Sequence, residues 1–175
     1  MLTAWMLSTR TYRASSFRCK GVNRRTRTIQ ISQDTKDLAK LIYSEAGNQS
    51  LEGQQAVANA VANRVNLWGK SVNTVIYMKY TDGTKYQFNG VEGREWNDAG
   101  TLIDNSDASI NPIIDLAQNT IDGSLADITG GATFFRNPAK ATNAWFQGKI
   151  DSGAFIETNS IGSHVFYREK KYDRK

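Results

Sequence analysis

The chain has 175 residues, 39% of them apolar and 22% charged, with a formal net charge of +5. That length suits one domain with its own core, and no apolar run approaches the ~20 residues that span a bilayer. A single cysteine, Cys19, and a single histidine, His164, exclude an intrachain disulfide framework, a Cys-based zinc site and two-His metal motifs.

The charge is unevenly placed. Residues 1–33 hold seven basic residues and no acid, so the remainder carries 15 Lys and Arg against 17 Asp and Glu. Residues 1–33 read as a basic, flexible N-terminal arm. Its chemistry fits an acidic partner, an anionic wall polymer or nucleic acid. The apolar stretch Leu2 to Leu7 is too short for a signal-peptide core, so no ordinary export signal is expected.

The first helix is expected from Ser32–Asp34, where N-cap residues stand. Leu38, Leu41 and Ile42 follow at helical spacing, and the next position in that series is Glu45. A second helix is expected over about 51–67, with Ala56, Val57, Ala60, Val61, Val65 and Trp68 as its stripe and Gly69 as its stop. Arg64 interrupts that stripe, and Gln55, Asn59 and Asn63 form a polar row beside it. Residues 71–78 read as a short helix and 80–100 as an extended loop, with 85–88 as a candidate strand.

A further helix is punctuated by Asn111 as cap, Pro112 at the first turn, and Ile113, Leu116, Ala117 and Thr120 at helical spacing, ending at Gly123. Residues 132–135 and 163–168 read as strands, and 169–175 as a charged tail. The expected class is α+β, with three to four helices and a small antiparallel sheet late in the chain. The folded domain is expected over 34–168.

Glu45 is the chemically informative residue. A carboxyl on an apolar stripe is desolvated, which favours its neutral form. A neutral carboxylic acid near pH 7 is a proton donor for a glycosidic oxygen. The bland alternative is a helix-end Glu that reaches water or pairs with Arg64.

The stretch "IYSEAGNQSLEGQQAVANAVANRV", residues 42–65, resembles the signature of the SleB/CwlJ-type cell-wall hydrolases, the spore cortex-lytic family. "VIYMKYTDGTKYQFNGV" resembles that family's Val-Ile-Tyr segment followed by Gln-Phe, here Gln87-Phe88. "GGATFFRNPAKATNAWF" and "IGSHVFYR" resemble its Asn-Pro block, here with Asn137, and its closing Gly-x-His-x-Phe, here with His164. The resemblance covers about residues 35–168. It implies a small lysozyme- and lytic-transglycosylase-like domain that cleaves peptidoglycan between N-acetylmuramic acid and N-acetylglucosamine, with Glu45 catalytic. Gln49 stands where many members carry a second acid.

Most glycosidases need two carboxylates. Glu52, Asp82, Glu92, Glu95 and Asp98 are present, but the sequence sets none of them opposite Glu45. A lytic transglycosylase needs one Glu, because the substrate's own 6-hydroxyl attacks C1. That route is the expected one. Gln54, Asn63 and Gln87 carry amides suited to N-acetyl and hydroxyl groups, and Tyr43 and Trp145 are candidates to stack on sugars. Phe88, Asn137 and His164 join them as substrate-groove candidates. No cofactor or metal is expected, and the expected partner is the peptidoglycan glycan strand. The competing reading is a catalytically inactive wall-binding or structural protein of the same fold.

Overall fold

The computed structural model describes residues 31–140 and 143–172. Most of the basic arm, including Cys19, lies outside the described residues, as do residues 173–175 of the tail. Ser32 opens the first helix, α1 (Gln33–Ala46), by accepting the Thr35 N–H at 3.1 Å. Leu38, Leu41 and Ile42 are fully buried. Each such side chain contributes about 1.5–3 kcal/mol of burial, so the stripe that predicts α1 also holds its rotation, and with it the direction of Glu45.

Ser50 caps α2 (Leu51–Trp68), and Gly69 ends it in the left-handed region at φ 61°. A short α3 (Val72–Ile76) follows. The 80–100 segment is not loop throughout: α4 spans Arg94–Asp104 and buries Trp96, Ala99 and Ile103. These three lie on one face at helical spacing, but Asn97, Asp98 and Gly100 between them hide the pattern. The expected strand at 85–88 is reduced to an isolated bridge between Lys79 and Tyr86.

Before α5 (Asn111–Ile121) comes a 3-10 turn, Ala108–Ile110, capped by Asp107 through the Ser109 N–H at 2.8 Å. Asn111 is therefore the first residue inside the helix and not its cap; α5 follows Ile110 without a side-chain cap, and Asp107 caps the 3-10 turn ahead of it. Helix α1 packs against α2, α3, α4 and α5, and these helices share the main core.

Late in the chain, β1 (Phe134–Arg136), β2 (Phe155–Ile161) and β3 (His164–Glu169) form an antiparallel sheet in the order β1-β3-β2. Strand β3 has the expected length but sits one residue further along, ending at Glu169, and Lys170–Tyr172 form a 3-10 turn after it. Helix α6 (Ala144–Asp151), absent from the sequence reading, is capped by Asn143, which accepts the Trp145 and Phe146 N–H groups. Among the described residues there are thus six α-helices and one small sheet. None of these helices is long and apolar enough to cross a membrane.

The polar row of α2 ties the helix to the loop before β1. Gln55 donates to the Ala126 carbonyl at 2.9 Å. Asn59 accepts the Ile128 N–H at 3.1 Å, and Asn63 donates to the Ala132 carbonyl at 2.9 Å. Asn59 is only 2% exposed, so its truncation strands a backbone donor. Asn59→Ala is expected to cost about 1–3 kcal/mol, read as a lower urea midpoint. An unchanged midpoint would show that this clamp carries no stability.

Candidate active site

The C-terminal end of α1 opens into a cleft of about 760 Å³, within the range of small-molecule sites. Its walls come from the turn after α1, the end of α2, the 78–89 segment, β1, the start of α6 and the β2–β3 turn. Glu45 lies half-buried in this lining, and its Oε1 accepts the Gly90 N–H at 2.9 Å. Burial pushes the Glu45 carboxyl above its ordinary pKa; the Gly90 hydrogen bond and the Arg64 charge offset part of that rise. The neutral acid is favoured by desolvation, as the apolar stripe implies.

Gly90 has a physical reason to be glycine. A Cβ there would sit 2.4 Å from Ser44 Oγ, 2.8 Å from Ser44 Cβ and 3.2 Å from Glu45 Oε1. Gly90→Ala is therefore expected to push the 89–91 segment away and weaken the hydrogen bond to Glu45. The expected cost is about 1–3 kcal/mol in stability, with a fall of about 10-fold or more in turnover. Thermal melting and steady-state kinetics would check both. Parent-like kinetics would mean that this hydrogen bond does not position Glu45.

Arg64 forms the floor beside Glu45. It is 3% exposed, donates through Nε to the Thr133 carbonyl and through Nη1 to Gln87 Oε1 at 3.3 Å. Its guanidinium carbon lies 4.5 Å from the Phe88 ring centre, 4.7 Å from that of Phe134 and 5.2 Å from that of Trp68. Burial lowers its pKa to about 10, with Tyr80, Glu169 and Glu45 acting the other way. It remains a cation at neutral pH. Its partners are a carbonyl, an amide and three rings, rather than an ion-paired Glu45.

At the far wall, Trp145 is 49% exposed and stands edge-on to Tyr80, ring centres 6.5 Å apart. Asn137 donates to Ser163 Oγ at 3.2 Å. His164 is 7% exposed, edge-on to Phe135 at 5.3 Å, and its Nδ1 has no hydrogen-bond partner among the described residues. Burial, then the nearby Lys140 charge, lowers its pKa, so it is neutral near pH 7.

A sequence profile for the family described as Cell Wall Hydrolase matches residues 48–167. The chain belongs to this cell wall hydrolase family. Among solved structures, it is similar to the catalytic domain of the germination-specific lytic transglycosylase SleB from Bacillus anthracis. The TM-score is 0.53 at 24% identity, over 80% of this chain and 98% of that one. The catalytic domain of the Bacillus cereus SleB protein matches with a TM-score of 0.48 at 24% identity, over 85% and 100%. No curated protein matches. The resemblance read from the motifs is thus borne out at the level of family, and the Bacillus anthracis match shows the shared fold.

In this cell wall hydrolase, Glu45, Gln87, Phe88, Asn137, Trp145 and His164 all line the cleft. Tyr43, Gln54 and Asn63 do not. Tyr43 packs against the helical core; two residues from Glu45 on a helix means nearly opposite faces. Gln54 is buried and donates to the Gln49 carbonyl at 3.3 Å, and Asn63 belongs to the loop clamp. Phe88 is 3% exposed and acts as packing under Arg64.

Of the acids weighed from the sequence, Glu52, Asp82, Glu92, Glu95 and Asp98 are all outside the cleft lining. Asp82 accepts the Thr84 N–H, Glu92 accepts from Tyr86, and Asp98 faces Arg94 at 3.7 Å. The lining acid that sequence reasoning missed is Glu169, ion-paired with Lys171 at 3.0 Å. It lies in a stretch read as tail. Gly90 was also missed, although the turn dipeptide Asn89-Gly90 marks it. Gln49, at the position of the absent second acid, accepts the Ser163 N–H at 3.0 Å and so joins the turn after α1 to the β2–β3 turn.

Proposed function

We propose that this protein cleaves peptidoglycan glycan strands between N-acetylmuramic acid and N-acetylglucosamine, as a lytic transglycosylase with Glu45 as its catalytic acid and base. The observation that carries the reading is a carboxyl with a raised pKa, held in a cleft by a backbone N–H and accompanied by a second lining acid that is already ion-paired. Neutral Glu45 protonates the glycosidic oxygen as its bond to C1 breaks. The muramyl 6-hydroxyl then attacks C1 and loses its proton to the Glu45 carboxylate, which restores the acid and closes a 1,6-anhydro ring. Trp145 and Tyr80 offer ring faces and edges for sugars, and Asn137 and Gln87 offer amides for their polar groups.

The membership in a cell wall hydrolase family supports the substrate. The profile match begins at Asn48, just past Glu45, so the role of Glu45 rests on its geometry and on the motif around it. Glu169 favours one second reading, hydrolysis with two carboxylates, because it shares the cleft. Mass spectrometry of fragments released from purified peptidoglycan separates the two. Ends in 1,6-anhydromuramic acid are the expected product. Reducing ends would move the reaction to hydrolysis and Glu169 to the second carboxylate. No fragments would leave a wall-binding protein of the same fold.

A further inference from the structure

The cleft has the opposite sign to the domain around it. Beyond residue 33 the chain carries a net −2, yet seven of its 15 Lys and Arg residues line the cleft, against two of its 17 acids. Of the seven, Arg64 is buried and held by Thr133 and Gln87, and Lys171 is neutralised by Glu169. Five remain: Lys70, Lys79, Lys140, Lys149 and Arg136. Among the described residues, no carboxylate lies within ion-pair distance of any of them. Arg136 donates instead to the neutral amide of Gln147 at 2.9 Å.

A backbone of N-acetylhexosamines is uncharged, and the rings and amides of the cleft are sufficient for it. Five like charges around one cavity raise its potential and favour an anionic ligand there, more so at low salt. The Lys149 ammonium sits 5.6 Å from the Trp145 ring centre, beside the surface offered to the sugar.

Building on the glycan-cleavage reading, we propose that the cleft selects strands bearing anionic side groups. Lys70, Lys79, Lys140, Lys149 and Arg136 hold the free carboxylates of peptide stems attached to the muramyl residues. The same cations would also attract phosphate-bearing wall polymers, so the test carries an arm for each source.

The full chain is given three substrates: peptidoglycan stripped of phosphate polymers, the same material with its carboxylates amidated, and wall that keeps its phosphate polymers. The first is expected to be cut with a kcat/KM about 10-fold above the amidated material. Half-molar salt should shrink that ratio, because the screening length falls to a few ångströms. In a variant combining Lys70→Gln, Lys79→Gln, Lys140→Gln and Lys149→Gln, the ratio should approach one; residues 1–33 are the same in both proteins and cancel. A parent ratio near one, or an unchanged ratio in the variant, overturns the proposal. So does a preference confined to the phosphate-bearing wall. Equal cutting of native and amidated material leaves glycan cleavage standing and removes only the charge selection, whereas no cutting of any substrate removes both.

Discussion

Glu45→Gln is expected to lower the rate of glycan cleavage by about 10²–10⁴-fold or more while leaving the fold intact. The substitution keeps an oxygen to accept the Gly90 N–H and removes the titrating proton. It also carries a stability signature. The Glu45 pKa is raised in the folded state, so below the unfolded value near 4.5 both states are protonated and Glu45 costs nothing. Above that value the unfolded chain ionises first, and folding loses stability until the folded pKa is passed. Glu45→Gln should therefore melt at or above the parent temperature at pH 7, and the gap should close near pH 3.5. Parent-like activity in a pure sample of the variant would end the role of Glu45. A variant less stable than the parent at pH 7 would contradict the desolvation argument.

On the proposed mechanism, the same titration should set the alkaline limb of activity. The acid must be protonated to start the reaction, so kcat/KM should fall as pH rises through a pKa above 4.5. Arg64 and the Gly90 N–H hold that pKa down against burial. On the proposed mechanism, the protonation of Glu45 is a balance between an apolar wall that keeps the proton on and two groups that let it leave.

The helix bearing this acid was legible because independent signals agree. Ser32 caps it, and Leu38, Leu41 and Ile42 define a face whose continuation is Glu45. Helices α4 and α6 were illegible for a different reason. They bury few residues, and what folds them is burial of Trp96 against the helical core and of Phe146 against the sheet. Position along the chain does not reveal those partners. Nearness to Glu45 in sequence does not bring a residue into the cleft lining, since Tyr43 lies on the far side of the helix and packs against the core. The distant blocks around Gln87, Asn137 and His164 do meet in the cleft lining, because their order in a family motif encodes convergence that local periodicity cannot. Glu169 was lost to a composition argument: a charged terminal run looked like solvent, whereas its first residue completes β3 and enters the cleft.

Arg64 is where stability and chemistry meet, and its removal should have the largest structural effect. It fills the space between Trp68, Phe88 and Phe134 and is the donor to the Thr133 carbonyl just before β1. Arg64→Ala would leave a cavity, strip three ring faces of their cation and strand that carbonyl, with an expected cost of about 3–5 kcal/mol. Arg64→Lys keeps the charge. A single ammonium cannot lie flat against the rings while donating at two positions, so it should recover only part of the loss. Arg64→Met tests the electrostatics with much of the volume kept. Without the cation, the Glu45 pKa should climb further and the alkaline limb should move to higher pH. Urea unfolding of the three variants, beside the pH profile of the Met variant, reads both effects. A Met variant with parent stability and an unmoved limb would reduce Arg64 to ordinary packing. A shifted limb would show that the buried cation of α2 sets the protonation of the acid on α1.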